Sequence, residues 1–383
     1  MKKLIILGIT GSIGCQVVDI VRENKEDFEI VGFSFYNNIS LGKELIKEFN
    51  PRVVAIKDEY LGLKEEFPNV EFLAGKECLS EIVKYGSNDI VILNALVGLS
   101  GLKATFNAIN AFKNILLANK ETLVVGGDII MNTAKEKGVS IVSIDSEHSA
   151  IFQALVGEKH ESIKKLVLTS SGGALRDFPL DELKNVTKAQ VLAHPNWNMG
   201  QKITVDCATM VNKAFEVMEA HYLFDVPLSD IEVLIHKESI VHSLVLFKDQ
   251  NYKAILSKPD MHLPISYALY YPDERLELEN DFDLTLKPLT FEHVNLKRYP
   301  CFELSLNALK KGGAYPCVLN ACNEALCYLF LHDLISFEQI GQILEEELSK
   351  EWTLDEISID SLIELDSKIK YELIEKFGGV YPW

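Results

Sequence analysis

Short apolar runs and longer periodic runs alternate along the first 150 residues. Leu4-Ile-Ile-Leu7 has no polar interruption, the pattern of a strand covered on both faces. Behind it Val17, Val18, Ile20 and Val21 recur at helical spacing. Glu29 to Phe33, Val53 to Ile56, Val70 to Leu73, Asp89 to Leu93, Asn114 to Leu117 and Val139 to Ile144 repeat the strand pattern. This alternation predicts an α/β fold, a parallel sheet with helices on both faces. Ligands bind such sheets outside the carboxyl ends of the strands.

After Glu147 the pattern changes. Lys164 to Leu168 reads as a strand, and the chain from Thr209 reads as a helix. Glu232 to Ile235, Ser243 to Phe247 and Tyr252 to Leu256 alternate like strands of a smaller sheet. Asp273 to Arg298 is polar, contains proline and reads as a linker. From Phe302 onward the spacing is helical over Leu304 to Leu309, Val318 to Phe330, Ser336 to Leu348 and Ser361 to Phe377.

Composition narrows the function classes. The chain has 383 residues, 48% hydrophobic and 25% charged, enough for two or three domains. A net charge of −18 argues against nucleic acid or an anionic membrane as partner. The seven cysteines are odd in number and no C-x-x-C occurs, which fits reduced thiols and a cytoplasmic location. The apolar run after Met1 stops at Gly8, too soon for a signal peptide, and no stretch nears the roughly 20 apolar residues of a membrane span.

Candidate chemistry gathers at the strand ends. Gly8-Ile-Thr-Gly11-Ser-Ile-Gly14 lies between a strand and a helix, where glycines let the backbone approach a pyrophosphate at the helix amino terminus. A plain tight turn would look similar. The second strand runs into Ser34-Phe35-Tyr36-Asn37-Asn38 without the acid that would hold an NAD ribose, which leans toward NADP. Asn94, Lys120, Asp145 and Glu147 fall at further strand ends. Side chains two apart in an extended chain point the same way, so Asp145 and Glu147 are expected to converge. Hard oxygen donors suit Mg²⁺ or Mn²⁺, although a polar turn after a buried strand is equally compatible with these residues.

Further on, Thr169-Ser-Ser171-Gly-Gly173 offers hydroxyls and N–H groups for an oxyanion, or is simply a glycine-rich bend. His194-Pro-Asn-Trp197-Asn-Met199-Gly200 is a loop with large apolar groups that either folds onto the core or covers a ligand. Asn212, Lys213 and Glu216 share one helical face, which suits a phosphate and a carboxylate one turn apart, or a solvated face.

Taken together, these segments resemble the 1-deoxy-D-xylulose 5-phosphate reductoisomerase family. The resemblance rests on Leu7-Gly-Ile-Thr-Gly-Ser-Ile-Gly14, Leu117-Ala-Asn-Lys-Glu121, Asp145-Ser-Glu-His148, Ser171-Gly-Gly173, His194 to Gly200, Ala208-Thr-Met-Val-Asn-Lys213 with Glu216, and Pro259-Asp-Met261. It implies an NADPH-binding Rossmann domain over 1–145, an α+β catalytic domain over 146–272, a linker over 273–300 and a helical domain over 301–383. It implies rearrangement and NADPH reduction of a phosphorylated sugar to 2-C-methyl-D-erythritol 4-phosphate by a homodimer. Asp145, Glu147 and Glu216 would hold Mg²⁺ or Mn²⁺, with Lys120 beside them. Gly8, Thr10, Gly11, Ser12, Ile13, Gly14, Asn37, Asn38, Asn94, Asn119, Glu121 and Gly200 would serve the cofactor. Ser171, His194, Cys207, Asn212 and Lys213 would bind phosphate, Trp197 and Met199 would cover the substrate, and Ser146 and Met261 would line the pocket.

Three positions depart from the family pattern. Ile9 and Cys207 stand where serine is usual, and Asn37 stands where a basic residue is usual. Two other readings remain: a dehydrogenase of another phosphorylated metabolite, or a sensor that binds a dinucleotide without catalysis. Neither would need the three carboxylates together.

Overall fold

The computed structural model describes every residue except 59–61, 274, 278–281, 286 and 381–383. The expected linker 273–300 therefore lies partly outside the described residues. The chain divides into two units. The first comprises Met1–Thr122, Asp128–Ser149 and Asp260–Leu278; the second comprises Leu123–Gly127, Ala150–Pro259 and Glu279–Trp383.

The apolar runs of the first unit become β1 (Lys2–Leu7), β2 (Phe28–Ser34), β3 (Val53–Ile56), β4 (Glu71–Ala74), β5 (Val91–Asn94), β6 (Ile115–Leu117) and β7 (Ile141–Ser143). Between them lie α1 (Ser12–Glu23), α2 (Ile39–Phe49), α3 (Leu63–Glu66), α4 (Cys78–Ile82), α5 (Ser100–Asn110) and α6 (Glu121–Lys137). The strands pair in parallel in the order β4-β3-β2-β1-β5-β6-β7. The order reverses at β1, so a crevice opens between the carboxyl ends of β1 and β5, where doubly wound sheets take their ligands.

Asp260–Leu278 belongs to this unit and not to the run 146–272 expected for the catalytic domain. The reason is packing. Helix α11, His262–Tyr270 in chain order, buries Ile265, Ala268 and Leu269 in the same core as Val17, Val21 and Phe28. Each fully buried side chain of this kind contributes about 1.5–3 kcal/mol. Tyr270 also sets its ring edge-on to Phe28 at 5.2 Å and donates its hydroxyl to Asp27.

In the second unit, α7 (Ser146–Leu155) leads in from the first, followed by β8 (Ile163–Ser170), α8 (Lys188–Val191), α9 (Gln201–Thr209) and α10 (Val211–Phe224). Then come β9 (Ile231–Ile235), β10 (Val241–Phe247), β11 (Tyr252–Leu256) and the short β12 (Glu292–His293). They form a mixed sheet in the order β11-β10-β8-β9-β12, with β8 and β9 parallel and the other pairs antiparallel. The unit closes with α12 (Pro300–Lys311), α13 (Tyr315–Leu331), α14 (Phe337–Ser349) and α15 (Ile359–Lys376). Buried residues run right around α13, including Val318, Asn320, Cys322, Ala325 and Leu329, as befits a helix at the centre of a bundle. Ser336 and Ser358 cap α14 and α15 with reciprocal hydrogen bonds, which explains where both helices begin.

Two local expectations are corrected. The strand before Asp145 ends at Ser143 and α7 begins at Ser146, so Asp145 and Glu147 do not share an extended segment. The helix expected from Thr209 begins at Val211, because Met210 takes a left-handed conformation (φ 61°), and a separate helix, α9, ends at Thr209.

Candidate functional site

Gly8 follows β1 at φ +81°, and a Cβ there would stand 2.9 Å from the Ala95 carbonyl oxygen. A Cβ at Gly14 would stand 2.4 Å from the Gly8 oxygen. The turn therefore needs glycine at both positions to close tightly over α1. Gly11 precedes α1 and supplies no side chain to its first turn, leaving backbone N–H groups facing outward, as a phosphate requires. Ile9 is buried in the core, so this departure from the family pattern packs inward.

Asparagines around the turn do structural work. Asn38 caps α2, its side chain accepting from the Leu41 N–H at 3.1 Å. Asn94 is buried, donates to Gly101 O and Thr105 Oγ1, and accepts from the Leu96 N–H. Asn119 donates to Leu96 O and Gly98 O and to the Glu121 carboxylate. Asn94 and Asn119 shape the segment 94–101 through its backbone. Asn37 is exposed beyond the end of β2.

At the ends of β6 and β7 a charged corner forms. Lys120 Nζ lies 2.7 Å from Asp145 Oδ2, with both side chains nearly buried. His148 Nδ1 lies 3.6 Å from Asp145 Oδ1, and the Glu147 N–H approaches the same oxygen. Asp145 also accepts the Ser149 N–H on its carbonyl, so it opens α7 as an N-cap residue does. The first turn of that helix swings Glu147 back toward Asp145, a geometry that an extended strand would not give. Ser146 donates its hydroxyl to Glu147. Burial pushes the Asp145 carboxyl upward, but Lys120 and His148 outweigh it and hold it well below the ordinary carboxylate range. Hard carboxylate oxygens of this kind suit Mg²⁺ or Mn²⁺.

The second unit carries another constellation. Gly172 and Gly173 turn at φ +79° and +68° after β8. Within this turn Ser171 Oγ accepts the Gly173 N–H. Ser171 Oγ lies 3.0 Å from His194 Nε2, while His194 Nδ1 accepts N–H groups from Asn196 and Trp197. The His194 proton therefore sits on Nε2 and is donated to Ser171. Burial, aided by the Arg176 charge, brings the His194 pKa down to about 4, so the ring is neutral.

On α10, Asn212 and Lys213 both donate to Glu216, and all three are buried. The solvated-face alternative does not describe them. Cys207 lies half-buried near the end of α9, and its carbonyl stands against Gly173. Trp197 and Met199 are half-buried on the coil between α8 and α9, with Trp197 edge-on to His242 at 6.2 Å. Gly200 precedes α9, whereas Met261 packs on the core of the first unit.

Sequence reasoning missed Arg176 and gave Asn196 no role. Arg176 donates to Ser171 O and Lys237 O, bracing the glycine turn. Asn196 donates to the same Lys237 carbonyl and to Ser239 Oγ, anchoring the 194–200 segment. No local signal marked either, since both act on backbone distant in sequence.

A parallel sheet with a glycine turn after its central strand, and acidic side chains beyond the end of its edge strand β7, is the arrangement of a dinucleotide-dependent oxidoreductase. Comparison with known proteins narrows the class. The family model for 1-deoxy-D-xylulose 5-phosphate reductoisomerase matches residues 4–127, and two models for C-terminal domains of that enzyme match 141–224 and 256–372. The chain is 48% identical over 374 residues to the reductoisomerase of Listeria welshimeri serovar 6b, covering 97% of this chain and 98% of the relative. It is 46% identical to that of Clostridium perfringens strain SM101, covering 99% and 100%. A crystal structure of DOX-P reductoisomerase in complex with NADPH, fosmidomycin and magnesium superposes with a TM-score of 0.91 at 34% identity, covering 99% of this chain and 100% of that one. The chain belongs to the 1-deoxy-D-xylulose 5-phosphate reductoisomerase family.

Proposed function

We propose that this chain converts 1-deoxy-D-xylulose 5-phosphate to 2-C-methyl-D-erythritol 4-phosphate with NADPH, in the non-mevalonate route to isoprenoids. The observation that carries the reading is the ionised Asp145 beside Lys120 and Glu147, on the sheet whose central strand ends in the glycine turn. Asp145, Glu147 and Glu216 are the ligands for Mg²⁺ or Mn²⁺. The cation, when bound, polarises the substrate carbonyl and orients the neighbouring hydroxyl for the rearrangement. Lys120 keeps Asp145 charged and aimed, and Ser146 orients Glu147 by donating to it.

NADPH supplies the hydride that reduces the rearranged aldehyde. The turn Gly8, Thr10, Gly11, Ser12, Ile13 and Gly14 receives its pyrophosphate, and the tight approach at Gly8 and Gly14 fits such a cradle. Asn37 and Asn38 stand near the adenosine ribose. Asn94, Asn119 and Glu121 would serve the nicotinamide side, and Gly200 is a further residue assigned to the cofactor. Ser171, His194, Asn212 and Lys213 bind the substrate phosphate, and Cys207 offers a weaker donor than serine would. Holding this non-reacting group fixes the reacting carbons. Trp197 and Met199 cover the substrate and exclude water, and Met261 lines the pocket.

The protein acts as a homodimer in the cytoplasm. Edge strand β11, with Tyr252 and Leu256 exposed, supports self-association, and seven free thiols support a reducing compartment. No described helix is long and apolar enough to cross a membrane.

The test is NADPH oxidation, followed by absorbance, with 1-deoxy-D-xylulose 5-phosphate, with and without Mg²⁺ or Mn²⁺, and again with NADH. Turnover is expected only with a cation. Folded protein that binds NADPH but gives no turnover with either cation would sink the assignment. The rate ratio of the two nucleotides measures what Asn37 costs.

A further inference from the structure

The carboxyl-terminal helices hold no chemistry of their own, yet one buried carboxylate ties them to the phosphate corner. Asp206, on α9, is only 2% exposed. Its Oδ1 accepts from Asn323 Nδ2 at 2.8 Å and from the Cys327 thiol at 3.2 Å, both on α13. Its Oδ2 pairs at 2.9 Å with Lys202 Nζ, one turn earlier on α9. That ammonium lies 5.8 Å over the Phe215 ring of α10. Burial, and then the Asp206 charge, push the Cys327 thiol well above its ordinary pKa, so it stays protonated and donates. A carboxylate at this depth is tolerated only with its donors in place. The position of α9 against α13 is therefore specified by hydrogen bonds as well as by packing.

The next residue stands at the site. A Cβ at Gly173 would fall 2.5 Å from the Cys207 carbonyl oxygen, so the end of α9 rests directly on the Ser171–Gly173 turn. Three residues beyond Cys207 the left-handed Met210 redirects the chain into α10, where Asn212 and Lys213 occupy the first turn. A shift of α9 would move Cys207 against the glycine turn and carry Asn212 and Lys213 with it. Misplacement of that kind weakens binding without removing any contacting group.

We propose that Asp206 is a positioning residue for the substrate's phosphate, holding α9 on α13 so that the Ser171–Gly173 turn, Cys207 and the start of α10 keep fixed separations. This rests on the phosphate role given to Ser171, Cys207, Asn212 and Lys213 above. It assigns α13 a part in substrate affinity, although none of its residues is placed against the substrate.

The experiment measures KM for 1-deoxy-D-xylulose 5-phosphate, KM for NADPH, kcat and the inhibition constant of inorganic phosphate in Asp206→Asn, Asn323→Ala, the exchange Asp206→Asn/Asn323→Asp, and Lys213→Ala. Asp206→Asn is expected to raise KM for the sugar phosphate and the phosphate inhibition constant together by about tenfold, with kcat within about threefold and KM for NADPH unchanged. The exchange restores an amide–carboxylate pair and is expected to recover most of the loss. Should Asp206→Asn fail to fold, Asn323→Ala carries the same expectation. Raised constants in Lys213→Ala with none in Asp206→Asn or Asn323→Ala overturn this inference alone. So does a loss of thermal stability with both KM values unchanged. If Lys213→Ala leaves the phosphate constant unchanged, the phosphate reading falls, and this inference with it.

Discussion

Two buried clusters in the second unit are made of the same residue types. On α10, Asn212 and Lys213 donate to Glu216. In the helical bundle, Asn320 donates to Asp366 at 3.0 Å, and Lys370 pairs with Asp366 at 2.7 Å and with Glu324. Both would be flagged by any search for charge in the interior. They differ in where the helices place them. The first lies within one helix, in the first turn after a left-handed break. The second is shared between the middles of α13 and α15 and faces only the bundle. Buried charge at the start of a helix is a candidate site; enclosed between two helices, it is part of the packing.

The sharpest way to break that distinction is to remove each lysine partner in turn. Lys370→Met leaves Asp366 and Glu324 without their cation and is expected to cost about 3–5 kcal/mol, read by denaturant unfolding. Turnover per folded molecule should stay at the wild-type value. A loss of kcat without a loss of stability would show that the bundle cluster belongs to the chemistry. Glu216→Gln is expected to behave oppositely. It should lower kcat by about 10²–10³-fold, as for other groups that stabilise developing charge, with a small change in unfolding. Near-normal turnover would remove Glu216 from the cation site.

A pH series sharpens the comparison further. Burial raises the Asp366 carboxyl; Lys370 pulls it back and Glu324 raises it again, leaving it at about 6 against an ordinary 3.8. Because the folded state holds this proton more tightly, its stabilisation is complete below about pH 4 and is lost as pH rises through about 6. Wild type should therefore gain on Asp366→Asn by up to about 3 kcal/mol as pH falls from 7 to 4, measured as the difference in unfolding free energy. Parallel curves for the two proteins would refute the shift. The smallest effect concerns His194, whose pKa of about 4 keeps the ring neutral. Its NMR resonances should not move between pH 8 and pH 5.5 in the free protein. A midpoint near the ordinary 6.5 would contradict the burial argument.

Much of the fold was legible because its signals are local. Strand runs between polar breaks and the glycine turn after Leu7 depend on neighbours within a few residues. Placement at strand ends was legible too, since parallel topology puts Gly8, Lys120 and Asp145 on one edge of the sheet. The family resemblance followed from motifs of the same short range.

What only the tertiary structure decided depends on distant backbone. The left-handed turn at Met210, and the helix α9 before it, left no mark in the local pattern. The helical return of Glu147 toward Asp145, the inward turn of Asn94 and Asn119, and the claim of α11 on the first core were likewise invisible. So was Asp206, whose partners on α13 lie 117 and 121 residues away. Periodicity records which face of an element is apolar; it cannot record which other element will supply a buried carboxylate with its donors.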